Sequence, residues 1–335
     1  MSSSSTVSKI FVIGGTGAQG MPIVESLTKD HKYHLRILTR DPASKRAQQL
    51  AALPQVELVE GTFTNEDTLR KGFSGCDGAF VNIDGFNVGE KTETYWGIRA
   101  YELALESGIK FYVWGNLDYA YKKSGYDPIF RAGHYDGKGR VGEWILFQNK
   151  DNKDRMGAAI FTTGPYIDMS IAFGTPMMPT IEDGVVTCGM DLEVAIAHVS
   201  YAELAAAFAK VTGHPARYID TSLEEYWSTG RMGQAADHGA AYSADPKDPS
   251  FMTFRQNFTG FWNIFKYSSG NQGIVRRDYK LLDEVFPGRI KSAEEWFRRE
   301  DELGRKEGKG SLWERVQKDN LKPLLKNSED SRGVY

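Results

Sequence analysis

Lys9-Ile10-Phe11-Val12-Ile13 runs directly into Gly14-Gly15-Thr16-Gly17-Ala18-Gln19-Gly20, and an apolar-periodic segment (Met21, Val24, Leu27) follows. An apolar strand, glycines spaced G-x-x-G-x-x-G and an amphipathic helix make the strand-to-helix turn whose backbone N–H groups face a pyrophosphate. Gly14 is expected to make the turn and Gly17 to admit the phosphates. Gly20 is expected to let the helix pack against the strand. The helix N-terminus adds partial positive charge.

Outward from this stretch, strand and helix alternate. Strands are expected at 35–39, 56–60, 78–83, 109–114 and 158–162, and helices at 43–53, 65–73, 92–107 and 139–149. Gly78-Ala79-Phe80-Val81-Asn82-Ile83 is an apolar run suited to a parallel strand covered on both faces. The alternation predicts an α/β fold, a Rossmann-type doubly wound parallel sheet over residues 1–163. After Gly164-Pro165 the pattern loosens. Pro176 and Pro179 break it up, and aromatics crowd 218–267: Trp227, Tyr242, Phe251, Phe254, Phe258, Phe261, Trp262 and Phe265. Residues 164–335 read mainly as a smaller C-terminal α/β cap for substrate, ending in a charged helical stretch and a polar tail. The helix near 201–212 is expected to pack back on the core. Open α/β folds place ligands at the C-terminal edge of the sheet, beneath such a cap.

A chain of 335 residues can bury a large core, and its net charge of −3 offers no overall attraction to nucleic acid. Residues 1–6 are polar, without the apolar core of a secretory signal, and read as a frayed cap. No run reaches bilayer-spanning length. Cys76 and Cys188 lack CxxC spacing and read as free thiols in a reducing compartment. The six histidines show no metal-binding spacing, so no metal is expected. A cytoplasmic location follows, with the nucleus as an alternative.

The residue ending the second strand separates the two dinucleotides: a carboxylate accepts from the ribose 2′-OH, whereas arginine accommodates a 2′-phosphate. Here the strand ends Thr39-Arg40-Asp41. Arg40 offers a planar fork to a phosphate, Lys45 adds a second charge, and Asp41 is expected to cap the helix that begins at Pro42. The reading is NADP(H) over NAD.

Gly14–Gly20, Leu38-Thr39-Arg40-Asp41-Pro42, Val59-Glu60-Gly61 and His134-Tyr135-Asp136-Gly137-Lys138-Gly139 together resemble the NmrA-like proteins, which are atypical short-chain dehydrogenases. Arg277-Asp278-Tyr279-Lys280-Leu281-Leu282 and Ile290-Lys291 resemble the fungal branch. The family holds nitrogen-regulation proteins, redox sensors and reductases. The resemblance implies a cofactor site of Gly14, Thr16, Gly17, Ala18, Gln19, Gly20, Arg40, Lys45, Phe63, Asn82, Ile83, Lys138, Pro165 and Tyr166. Asn82 and Ile83 would lie beside the nicotinamide-side ribose, and Pro165 and Tyr166 beside the nicotinamide. Where the family often carries Gly-Asp after the third strand, this chain has Gly61-Thr62.

Ordinary short-chain dehydrogenases use a tyrosine as general acid and a lysine four residues on, both on one helix face. Tyr119-x-x-x-Lys123 matches the spacing but follows the fifth strand too soon. The better register is His134-x-x-x-Lys138, with histidine at the tyrosine position and Gly115 where the usual serine stands. Three proton donors remain open: Lys138 acting on a developing alkoxide, as in the phenylpropanoid reductases the fold resembles; His134 near its ordinary pKa of about 6.5; and Tyr135 or Tyr166.

Two functions follow. One is an NADP(H)-dependent oxidoreductase reducing a small apolar or aromatic carbonyl, enone or imine under the cap. The other is a non-catalytic NADP(H)-sensing regulator acting through a protein partner. Neither calls for direct nucleic-acid or membrane contact, and monomer and homodimer stay open.

Overall fold

A computed structural model describes residues 8–322 except 173–174, 176, 179, 183, 190–197, 230 and 242. The N-terminal cap at 1–6, Pro176, Pro179, Tyr242 and the polar tail beyond 322 lie outside the described residues.

The first half alternates as β1 (Lys9–Ile13), α1 (Gly20–Thr28), β2 (His34–Thr39), α2 (Lys45–Ala51), β3 (Val56–Glu60), α3 (Glu66–Phe73), β4 (Gly78–Val81), α4 (Gly85–Glu106), β5 (Phe111–Asn116), α5 (Ala120–Lys123), α6 (Gly133–Asn152) and β6 (Gly157–Thr162). These strands form one sheet in the order β3-β2-β1-β4-β5-β6, and every neighbouring pair is parallel. The order reverses between β1 and β4, which opens a crevice at their C-terminal ends. β1 lies in the middle because both its faces are apolar. Phe11 and Ile13 pack with Leu69, Phe73 and Tyr101 on one side. Val12 packs with Val24, Leu35 and Leu50 on the other. Burial of these side chains on both faces supplies the main driving force, roughly 1.5–3 kcal/mol for each large one.

The second half adds β7 (Thr180–Glu182), β8 (Val185–Gly189), α7 (Tyr201–Thr212), β9 (Ala216–Ile219), α8 (Leu223–Thr229), α9 (Phe254–Lys266), α10 (Tyr279–Val285), α11 (Ala293–Lys306) and α12 (Leu312–Arg315). β7, β8 and β9 form a small mixed sheet. The helix expected at 201–212 is α7. Its Phe208 meets Phe297 of α11 edge-on at 5.5 Å, and Tyr201 stacks on Tyr218 of β9. The aromatic stretch is largely helical: α9 starts from a Thr253–Gln256 capping box and buries Phe258, Phe261, Trp262 and Phe265. Their cluster takes in Ala120, Phe130, Ala132 and Tyr135 from the first half, so one core spans both halves.

Three boundaries differ in ways that matter for the site. α6 starts at Gly133, not 139, which puts His134, Tyr135 and Lys138 in its first turns. α4 starts at Gly85, with a break at Gly89 (φ +80°, ψ 166°). Asp41 does not cap α2. Its Oδ1 accepts from Ala43 N, and Ser44 is the cap.

Candidate functional site

The glycine loop lies in the crevice between β1 and β4. Gly14 has φ +82°, a left-handed conformation that glycine adopts without steric cost; a Cβ there would lie 2.3 Å from Asn82 O. Gly17 N donates to Gly14 O, and Met21 N to Gly17 O, closing the loop into α1. A Cβ on Gly20 would sit 2.1 Å from Gly14 O and 2.6 Å from Gly15 Cα. The helix start is therefore pressed against the loop itself. A Cβ on Gly17 would meet only Gly14 O within 4 Å, so that side is open enough for a phosphate group. These residues fit a dinucleotide pyrophosphate.

Arg40 follows directly on β2, beside the loop, and is half-buried. Lys45 begins α2 and is exposed. The neighbouring Arg46 reaches the loop instead, its Nη1 donating to Thr16 O at 3.3 Å. Two guanidinium groups thus occur at the end where a 2′-phosphate would sit, and Arg46 is the one sequence reading passed over. Phe63 lies after β3, half-buried against the core of the sheet.

At the other end of the crevice the polar side chains link up. Gln19 Nε2 donates to Thr163 Oγ1 at 3.3 Å, and Asn82 Nδ2 donates to Gln19 Oε1 at 2.6 Å. Lys138 Nζ donates to Asn82 Oδ1 at 2.9 Å and to Ile83 O at 2.5 Å. It also lies 2.9 Å from Glu93 Oε1. The lysine's three polar neighbours equal its three N–H donors. Glu93 is fully buried, and its carboxylate is wedged where a Cβ on Gly85 or Gly137 would come within 3 Å. Burial pushes its pKa up to about 7 against the pull of Lys138. A Cβ on Gly115 would meet the Asn82 side chain at 2.9 Å. The place of the usual serine is thus filled by that asparagine.

The other proton-donor candidates fall away from this cluster or change character. His134 is buried, and burial lowers its pKa to about 4, so the imidazole is neutral near pH 7 and is not the acid expected. Its Nδ1 bonds Asn257 Oδ1 at 3.1 Å, and the Phe86 ring lies tilted against it, 4.5 Å between centroids. Tyr135 is 2 % exposed and packs edge-on to Phe261 and Phe265. Burial raises its pKa well above the ordinary value, and its ring belongs to the aromatic core. Tyr166 remains at the crevice, half-buried beside the buried Pro165. Burial, then the nearby Asp84 carboxylate, push it up to about 12. Tyr119 lies under Arg140 and Lys123 pairs with Asp118 at 2.5 Å, so that Tyr-Lys spacing has a packing role.

Residues 6–150 match the NmrA-like family. That segment belongs to the NmrA-like family. The glycine loop, strands β1 to β5 and Lys138 all lie within the matched residues. The chain is 35 % identical over 114 residues to the NmrA-like family domain-containing oxidoreductase malD of Malbranchea aurantiaca, a stretch covering 32 % of this chain and 34 % of malD. The solved structure of NmrA, a negative transcriptional regulator, in complex with NADP has a TM-score of 0.61 at 16 % identity. It covers 92 % of this chain and 99 % of NmrA. Citrobacter sp. triphenylmethane reductase complexed with NADP(H) has a TM-score of 0.58 at 14 % identity, covering 87 % and 99 %. NmrA has also been solved with NAD. At these identities the structures establish the fold; the aligned stretch spans about a third of malD.

Within this NmrA-like segment, sequence reading missed Glu93 as well as Arg46. Glu93 falls in the helix expected at 92–107, where a large aromatic near it would be the expected buried residue. Tyr95 is 58 % exposed while Glu93 is 0 %. Glu93 has a measurable signature. A folded-state pKa of about 7 exceeds the unfolded value, so the native state holds the extra proton. Its contribution to stability is therefore full below the unfolded pKa and is lost as pH rises towards 7. Asp136, also raised to about 7, mainly by burial, has the same sign. His134, lowered to about 4, has the opposite sign, losing stability as pH falls from 6.5 to 4. Glu93→Gln is expected to flatten the decline between pH 5 and 7, an effect of roughly 2–3 kcal/mol. Urea melts of both proteins at several pH values test it, and parallel curves would refute the assignment.

Proposed function

We propose that the chain is an NADP(H)-dependent oxidoreductase reducing a small apolar or aromatic carbonyl, enone or imine. One observation carries this reading. The pyrophosphate cradle and Lys138 meet at the same sheet edge, joined through Gln19 and Asn82. When bound, the dinucleotide supplies the hydride. The chain's own residues then do the rest. Gly14, Gly17 and Gly20 shape the cradle, and Arg40 and Arg46 face the 2′-phosphate. Lys138 exchanges the Asn82 oxygen for a ribose or substrate oxygen and donates a hydrogen bond as negative charge develops there. Tyr166, protonated near pH 7, is the tyrosine that remains a candidate proton donor.

NADPH oxidation by the pure protein, tested against aromatic aldehydes, ketones, enones and imines, decides the matter. Saturable, substrate-dependent oxidation supports the reductase. Arg40→Ala is expected to weaken NADP binding tenfold or more while leaving NAD within about twofold, because charge-assisted bonds to the 2′-phosphate are lost. Fluorescence titration reads both constants; equal losses would sink the NADP preference.

A second reading is favoured by the state of Lys138: its ammonium already makes two hydrogen bonds within the protein and pairs with a buried carboxylate, while a neutral histidine stands in the place of the tyrosine acid. This suits a non-catalytic NADP(H) sensor working through a protein partner. Tight binding without turnover across the panel would support it.

A further inference from the structure

A cavity of about 410 Å³ opens beside the start of α4, walled by Ala240, Ala241 and the loop at 243–252. Ser243 ties that loop to α4, its N donating to Asn87 O at 3.1 Å and its Oγ to Asn87 Oδ1 at 2.9 Å. Phe86, Val88, Trp96, Phe251 and Met252 supply the apolar lining, and His134 and Asn257 line it too. The volume suits a small molecule.

The charged groups around it are neutralised within the protein or lie at the rim. Glu90 pairs with Arg131 and Arg140 at 2.9 and 2.7 Å. Asp248 pairs with Lys91 at 3.2 Å, and Asp245 is exposed with its carboxylate on Lys247 N. Nothing in this set calls for a charged ligand.

The informative group is His134. Asn257 Oδ1 is an acceptor, so the ring's Nδ1 carries the proton and Nε2 carries the lone pair. Among the described residues Nε2 makes no hydrogen bond. Phe86, Phe258 and Phe261 hold the ring by its faces and edges. An imidazole locked in one tautomer and one pose is a directional acceptor.

We propose that this cavity binds a neutral, planar apolar molecule carrying an O–H or N–H donor, which it recognises through His134 Nε2, with Asn257 as the positioning residue that fixes the tautomer. His134 thereby selects the ligand and does not protonate it. The inference rests on the reductase reading only in calling that ligand a substrate. Gly85, which lines the cavity, also abuts Glu93, and so joins this wall to the Lys138 cluster.

The test uses 2-naphthol and 2-methoxynaphthalene, a matched pair differing in the donor, titrated by fluorescence into the full chain without cofactor. About tenfold tighter binding of 2-naphthol is expected, the scale of one hydrogen bond. His134→Phe, which keeps a ring but removes the acceptor, is expected to bring the ratio close to one. In the unmutated protein, ¹⁵N-histidine NMR is expected to show the His134 lone-pair nitrogen shifting with 2-naphthol and holding still with 2-methoxynaphthalene. Failure of both compounds to bind, equal binding, or a preference that survives His134→Phe would overturn the proposal. None of these readouts involves turnover, so a failed reductase panel and a failed cavity are separate results.

Discussion

Lys138→Met is expected to reduce turnover by at least a hundredfold, the lower range for loss of a positioned hydrogen-bonding or proton-donating group. It also removes the counter-charge of a carboxylate with no exposed surface. Breaking a buried pair from one side costs about 3–5 kcal/mol when the remaining group stays charged. Glu93 already titrates near pH 7, and without the lysine it would hold its proton to higher pH. The variant's stability deficit is therefore expected to be small at pH 6 and to grow towards pH 8. Thermal melts at both values and steady-state rates at the lower one separate the two effects. A variant that turns over normally would remove Lys138 from the mechanism. A deficit that does not change with pH would mean that Glu93 is not its partner in solution.

Gly20→Ala carries the second large effect. The added methyl would come 2.1 Å from Gly14 O and 2.6 Å from Gly15 Cα. Both are backbone atoms, so no side-chain rotation relieves the clash. Either α1 backs away from the sheet or the loop deforms, at a cost of about 3 kcal/mol, the upper range for overpacking. Deformation would also splay the N–H groups that receive the pyrophosphate. We expect a melting temperature lowered by several degrees and dinucleotide affinity down by at least a hundredfold. Gly17→Ala is the contrasting variant. Its methyl meets only Gly14 O, at 3.2 Å, so stability should change little and affinity alone should fall. Equal stability losses at the two positions would contradict the cradle as described.

The parts of this fold that are local in sequence were legible. β1, the loop and α1 are consecutive, and the strands betray themselves as short apolar runs. The start of α6 was not legible, because Gly133, Gly137, Gly139 and Gly142 lower helix propensity. Those glycines are present for space: Cβ atoms at 137, 139 and 142 would strike Glu93, Tyr119 and Asn116. α9 was more readable than it was read, since Thr253-x-x-Gln256 is a capping box and Phe254, Phe258, Phe261 and Phe265 recur at helical spacing. Among site residues, the glycines, Arg40, Asn82 and Lys138 were named from sequence. Glu93 and Arg46 were not, because a buried carboxylate and a long side chain reaching to another loop leave no local signature. His134 was named as an acid near its ordinary pKa, and burial lowers that pKa to about 4.

The family match ends at residue 150, two residues short of the end of α6 and before β6 has begun. The structure draws its border elsewhere. Asp118, 2 % exposed at its side chain, is held by Arg277 at 2.7 Å, and the same guanidinium donates to Thr163 O at 3.2 Å. Lys123 alone would be left to balance that carboxylate in a fragment cut at 150. β5 would become a raw sheet edge and Tyr135 would lose its aromatic neighbours on α9. The matched segment is thus smaller than the unit that packs together. An excised NmrA-like half would be expected to aggregate, and the minimal autonomous chain runs at least through Arg277.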